Sequence, residues 1–161
     1  MPRVYLSVGS NIEPESHLRL AIRELRERFG NIALSPVYRG PAVGFEGDDF
    51  LNLVVGLDTD ASIERIAAEI EAMHELAGRR RGELRFASRT LDIDLLTYGD
   101  LITDAPIRLP RPDVLEYAFV LRPLADLAPD DRHPVDGRSY GELWQAMRRD
   151  ADTLSPVAIE F

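Results

Sequence analysis

The stretch Arg89-Thr90-Leu91-Asp92-Ile93-Asp94-Leu95-Leu96 constrains this chain more than any other. Apolar and acidic residues alternate from Leu91 to Leu95, which is the two-residue period of a β-strand. Asp92 and Asp94 therefore share one face, and Leu91, Ile93 and Leu95 share the other. Two carboxylates side by side on a rigid strand repel each other and weaken it unless something neutralises them. A hard divalent cation such as Mg²⁺ takes oxygen ligands and brings phosphates with it. Just upstream, Arg79, Arg80, Arg81, Arg85 and Arg89 offer partners for phosphate. Either feature alone reads as an ordinary wet strand face or solvated loop. Their adjacency points to metal-assisted phosphoryl chemistry.

Composition narrows the options. A chain of 161 residues with 45% hydrophobic content suits one domain, residues 1–161, with its own core. No apolar run is long enough to span a bilayer, and Met1-Pro2-Arg3-Val4-Tyr5 has no signal-peptide pattern. Without cysteine there is no disulfide, thiolate nucleophile or Cys-ligated zinc, which fits a cytoplasmic chain. A net charge of −9 argues against nucleic acid or an anionic membrane as partner. All 19 basic residues are Arg, so any phosphate clamp is built from guanidinium groups, not from a P-loop or Schiff-base lysine. The three histidines are scattered, which disfavours a histidine metal site.

In chain order, Val4–Val8 reads as a strand ending at Gly9-Ser10-Asn11. Leu18, Ile22, Leu25 and Phe29 mark one face of a helix closed by Gly30. Ile32–Tyr38 reads as a second strand, followed by the Gly- and Pro-punctuated loop Gly40–Gly47. Phe50–Leu57 is a third strand. A second helix, capped by Asp60 or Ser62, carries Ile63, Ile66, Ala67, Ile70, Met73 and Ala77 inward and stops at Gly78. Residues 91–98 are the acid-pair strand. This β-α-β-β-α-β order is that of a ferredoxin-like α+β fold, an antiparallel sheet with helices packed on it. An irregular C-terminal extension follows: Pro-rich loops from Pro106 to Pro112, an apolar piece Ala118–Leu124, and a last helix opened by the capping box Ser139/Glu142.

Six pieces in register, Gly9-Ser10-Asn11, Tyr38-Arg39-x-Pro41, Phe50-Leu51-Asn52, Gly78-Arg79-x-Arg81, Arg89-Thr90-Leu91-Asp92-Ile93-Asp94 and Phe119-Val120-Leu121-x-Pro123-Leu124, resemble the 6-hydroxymethyl-7,8-dihydropterin pyrophosphokinase family of folate synthesis. The resemblance covers nearly the whole chain. It implies transfer of pyrophosphate from ATP to the hydroxymethyl oxygen of the reduced pterin, with release of AMP, by a cytoplasmic monomer.

It also implies roles. Asp92 and Asp94 would hold two Mg²⁺ ions. Arg79, Arg81 and Arg89 would steady phosphate charge. Asn52 would read the pterin edge, and Phe119, with Phe45, would stack on its ring. Gly9, Ser10 and Asn11 would shape the pocket floor. Gly40–Gly47, with Gly40, Pro41 and Val43 beside the substrate, would be a flap that excludes water.

The chain departs from the family at several positions. His74 stands where Glu is usual, Phe86-Ala87-Ser88 where Trp-Gly-Pro is usual, Arg111 for a histidine, Tyr117 for an arginine, and Gly40 for a threonine. His74, Arg111 and Tyr117 fall on the nucleotide side, so ATP contacts are expected there in altered form. Arg111 keeps a cationic donor; Tyr117 removes a fixed charge. Other readings stand beside these. Asn52 could cap a loop, Phe45 and Phe119 could be core, and His74 could be a half-buried flank residue. The chain could also be an enzyme of the same scaffold with another pterin or phosphate donor, or a binding module without efficient transfer. An RNA-binding ferredoxin-like domain fits poorly with an acidic chain.

Overall fold

The computed structural model describes residues 1–78, 91–147 and 153–161. Arg79, Arg81, Arg89 and the other residues between 79 and 90 lie outside the described residues. The alternating apolar positions produce β1 (Arg3–Ser10), β4 (Phe50–Asp58) and β5 (Asp92–Tyr98). The helical periodicities produce α1 (Pro14–Phe29) and α2 (Ile63–Leu76). Of the two proposed caps for α2, Ser62 serves, accepting the Arg65 amide at 3.1 Å. Gly78 follows the helix at a φ of 85°, a conformation in which a Cβ is strained.

The stretch read as one strand over 32–38 is two, β2 (Ile32–Leu34) and β3 (Val37–Gly40). Pro36 has no amide to contribute to a ladder. Ser35 spans the interruption: its backbone amide donates to the Val54 carbonyl and its hydroxyl accepts the Val54 amide at 2.8 Å.

The sheet runs β5-β1-β4-β3 and is antiparallel throughout, with β2 also on β4. This is the order expected of a ferredoxin-like core. On one face α1 and α2 cover Val4, Leu6, Val8, Leu51, Leu53, Val55, Leu57, Ile93 and Leu95, all buried.

The C-terminal extension is more regular than its sequence suggests. It forms α3 (Asp113–Glu116), α4 (Ala118–Leu127) and α5 (Tyr140–Met147), and these cover the other face over Tyr5, Val54 and Leu96. The Ser139/Glu142 capping box forms in both directions. The extension does not end in that helix, as the sequence reading expected. A final strand, β6 (Ser155–Val157), pairs with β3 and lengthens the sheet.

Candidate active site at the polar end of the second face

Strand register assembles the site. In antiparallel strands, directly opposed residues share a face. Asp92 pairs with Gly9, Gly9 with Asn52, and Asn52 with Tyr38, which places one row across four strands. The next rung sets Asp94 opposite Ser7 and Ser7 opposite Val54. Gly9 is needed where it stands. A Cβ there would collide with Asn52 Oδ1, so the carboxamide lies across β1, over the glycine. Asn52 is thus a member of the sheet row on the acid-pair face and not a loop cap.

Asp92 and Asp94 are half-buried, while Leu91, Ile93 and Leu95 are sealed on the opposite face, as the alternation requires. The pair has a resident cation. Register slips between Tyr5 and Leu6, leaving Leu96 as an unpaired bulge residue. Its carbonyl accepts the Arg111 amide at 2.8 Å, which brings Arg111 alongside β5. Arg111 Nη2 lies 3.6 Å from Asp94 Oδ1 and Nε lies 3.1 Å from Asp113 Oδ2. Burial works against the guanidinium charge, but Asp94, Asp113 and Asp92 outweigh it and hold its pKa above the ordinary arginine value.

These two carboxylates suit a hard cation. Among the described residues no group of three or more His, Cys, Asp or Glu could hold a metal. Mg²⁺ needs no such group, since it is held by one or two carboxylates with substrate phosphates and water completing its shell.

Comparison with known proteins decides the family. Residues 5–129 match the family described as 7,8-dihydro-6-hydroxymethylpterin-pyrophosphokinase (HPPK). This chain belongs to the HPPK family. A 2-amino-4-hydroxy-6-hydroxymethyldihydropteridine pyrophosphokinase of Pseudomonas aeruginosa is 39% identical over 150 residues, covering 89% of this chain and 91% of the relative. One from Aquifex aeolicus is 31% identical over 159 residues, covering 97% and 96%. In three dimensions the chain is similar to a Plasmodium falciparum HPPK-DHPS structure at a TM-score of 0.78 and 13% identity, covering 98% of this chain and 47% of the other. It therefore spans about half of that longer protein, and the likeness bears on the fold. As an HPPK, the chain is a pyrophosphokinase, a transferase of folate biosynthesis.

The remaining residues expected at the HPPK site divide into two groups. Phe119, at the start of α4, is partly buried against the second-face cluster, and Tyr117 stacks on it with ring centroids 5.1 Å apart at 19°. The position where the family usually offers arginine is thus filled by a ring that extends the Phe119 face. Phe45 meets Phe50 edge-on at 6.2 Å. Asn11 ties the turn after β1 to the segment leading into β4, its carboxamide donating to the Asp48 carbonyl at 3.1 Å. Ser10 is buried, with its hydroxyl donating to the Ile12 carbonyl at 3.0 Å.

Other residues face elsewhere. Gly40 is buried under Leu154, whose Cδ2 would stand 2.6 Å from a Cβ at that position, so its small size admits the C-terminal segment. Pro41 and Val43 are exposed in the loop after β3. His74 is buried, and its Nε2 accepts the Ile93 amide at 2.9 Å. That bond occupies the outer edge of β5 between Asp92 and Asp94.

Two features were missed by the sequence reading. Asp113, the anchor of Arg111, was signalled only by its position two residues downstream of that arginine. Arg122 is the other. Its guanidinium lies 4.4 Å from the Tyr38 ring centroid and 5.5 Å from that of Trp144, and donates to the Leu154 carbonyl at 3.3 Å. Those contacts commit Arg122 to fastening the C-terminal segment.

Proposed function

We propose that this chain transfers pyrophosphate from ATP to the hydroxymethyl oxygen of 6-hydroxymethyl-7,8-dihydropterin and releases AMP, working in the cytoplasm as a single-domain monomer on small molecules alone. The observation that carries the reading is the row Asp92–Gly9–Asn52 with Asp94 one rung away, on one face, in a chain of the HPPK family. Asp92 and Asp94 would supply the oxygen donors for two Mg²⁺ ions, whose chemistry there would be to draw charge from the triphosphate. Asn52 offers both a donor and an acceptor to the pterin edge across the space Gly9 leaves open. Phe119, backed by Tyr117, gives the ring a flat apolar surface, with Phe45 reaching from the flap. Ser10 and Asn11 hold the turn that ends the pocket floor, and Pro41 and Val43 belong to the flap that shields it from water, while Gly40 ends β3 beneath Leu154.

The hydroxymethyl oxygen releases its proton to water and bonds to the β-phosphorus as the bond from that phosphorus to the α,β-bridging oxygen breaks, and that oxygen leaves with AMP. Arg111, with Arg79, Arg81 and Arg89, balances phosphate charge as it moves. Positioning supplies most of the rate, since two reactants held in line react as one.

The test is AMP release from ATP and Mg²⁺ with and without 6-hydroxymethyl-7,8-dihydropterin. Pterin-dependent AMP supports the reading, and pterin binding without AMP overturns it. A second reading, a different phosphate donor on the same scaffold, is favoured by one observation, the stacked Tyr117 where the family has a fixed charge. Its signature is faster pterin-dependent turnover with another nucleoside triphosphate than with ATP.

A further inference from the structure

Arg111 is shared between two carboxylates of different kinds. Asp113 opens α3, is itself buried, and meets the guanidinium at Nε, 3.1 Å away. Asp94 belongs to the open acid pair and meets the far end of the same group, Nη2, at the longer distance of 3.6 Å. The side chains of Arg111 and Asp94 are each 26% exposed, so a dissolved cation can reach the contact, whereas Asp113 at 13% is more enclosed. The Arg111 backbone is fixed to the Leu96 carbonyl, so the side chain pivots from a point beside β5. One end of the fork is therefore held by burial and by the charge of Asp113, without a hydrogen bond at Nε, and the other is exchangeable.

We propose that Arg111 is an internal counter-ion of the acid pair, anchored by Asp113, which a divalent cation must displace from Asp94, and that this exchange frees its Nη2 end for a phosphate. The proposal rests on reading Asp92 and Asp94 as metal donors. In the cation-free protein Arg111 offsets the repulsion along β5 that the sequence reading assigned to a metal alone. A cation and Arg111 compete for Asp94 Oδ1, since both are positive and cannot share that oxygen at contact distance without strong repulsion. When the cation prevails, Asp113 keeps Nε in place and the freed end needs little further ordering to meet an incoming anion. Asp113 is a positioning residue in this scheme: it touches neither substrate nor metal but sets how strongly Arg111 leans on Asp94.

The experiment titrates Mn²⁺ into the nucleotide-free, full-length protein by calorimetry, comparing wild type with Arg111→Gln, Asp113→Asn and Asp94→Asn. Removing the competing charge in Arg111→Gln tightens Mn²⁺ binding about tenfold. Asp113→Asn leaves Arg111 with the acid pair alone and weakens Mn²⁺ binding about threefold. Opposite signs from two neighbouring substitutions are not produced by a general loosening of the fold. With Mn²⁺ saturating, inorganic pyrophosphate binds Arg111→Gln about tenfold more weakly than wild type, because a charge-assisted contact is gone. Should Arg111→Gln fail to fold, Arg111→Lys replaces it. A lysine cannot bridge two carboxylates with one fork, and it tightens Mn²⁺ about threefold.

Unchanged or weaker Mn²⁺ binding by Arg111→Gln, with binding abolished in Asp94→Asn, overturns the counter-ion role and leaves the metal reading standing. No Mn²⁺ binding by wild type or Arg111→Gln, with or without pyrophosphate, overturns both. Unchanged pyrophosphate affinity overturns the release of Arg111 to phosphate.

Discussion

Against α1 and α2, strands β1, β4 and β5 present mainly aliphatic side chains, among them Leu6, Val8, Leu53, Val55, Ile93 and Leu95, with Tyr98 at the end of β5 donating to the Ala61 carbonyl. Against α3, α4 and α5 the same strands present Tyr5, Ser7, Asn52, Val54, Asp92 and Asp94, and aspartates from the covering layer fasten the tyrosine hydroxyls: Tyr5 donates to Asp131, and Tyr38 on β3 donates to Asp126. Burial first, then the nearby carboxylate, pushes both phenols above their ordinary pKa, so both stay neutral donors. One face is held by non-directional burial and tolerates shifts of volume poorly but of direction well. The other is held by directional polar contacts, which fix where each group points. Period-two alternation lets one strand serve both, with Ile93 locked in the core between two aspartates that face the site.

The largest test of that contrast is Asp94→Ala. Pterin-dependent AMP release should fall by about 10³-fold or more, since it removes charge stabilisation at the reacting phosphates. The urea midpoint should move little, because Asp94 lies outside either apolar cluster. Leu6→Ala on the other face reverses the pattern. It should lower stability by about 3 kcal/mol in urea denaturation, while turnover per folded molecule stays near wild type. Phe119→Ala sits between them and sharpens the comparison. Pterin affinity should fall about tenfold by calorimetry, with nucleotide affinity much less changed. An equal loss of both would make Phe119 a core residue only.

The smallest effect is acid sensitivity confined to the second-face layer. His133 is buried between α4 and α5, where its Nδ1 accepts the Val135 and Asp136 amides at 3.1 and 3.0 Å. Only the unprotonated nitrogen can accept. Burial, opposed by Asp136, pushes its pKa below the ordinary 6.5. A depressed histidine contributes in full above the unfolded value and loses that contribution as pH falls through the folded one. The amide resonances of Val135 and Asp136 should therefore shift as pH falls below 6.5, while those of α1 and α2 stay in place.

Much of this was legible in the chain. Alternation in 91–96 placed the acid pair on one face, and of the helical stripes Leu18, Ile22, Leu25, Ile66, Ile70 and Met73 are buried, whereas Phe29, Ile63 and Ala67 are half-buried. What escaped had physical reasons. α4 contains Pro123 and so reads as a short apolar piece, yet a proline removes only one amide bond, and burial of Val120, Leu121 and Leu124 sustains the helix. Arg111 as the partner of Asp94 depends on a bulge at Leu96, and no local pattern announces a bulge. His74 reads as a ligand contact or, more readily, as a half-buried flank residue. Only the Ile93 amide, 19 residues away, shows that it seals the edge of a strand.

The close approach of Asn52 to Gly9 also governs how such a sequence can drift. Any side chain at position 9 has to displace the carboxamide, and only then can β1 accept a Cβ. The two positions are coupled across neighbouring strands, and their substitutions are non-additive by construction. A larger residue at position 9 turns the Asn52 carboxamide off β1 without requiring its replacement, so asparagine on β4 reaches across β1 only while position 9 lacks one carbon atom.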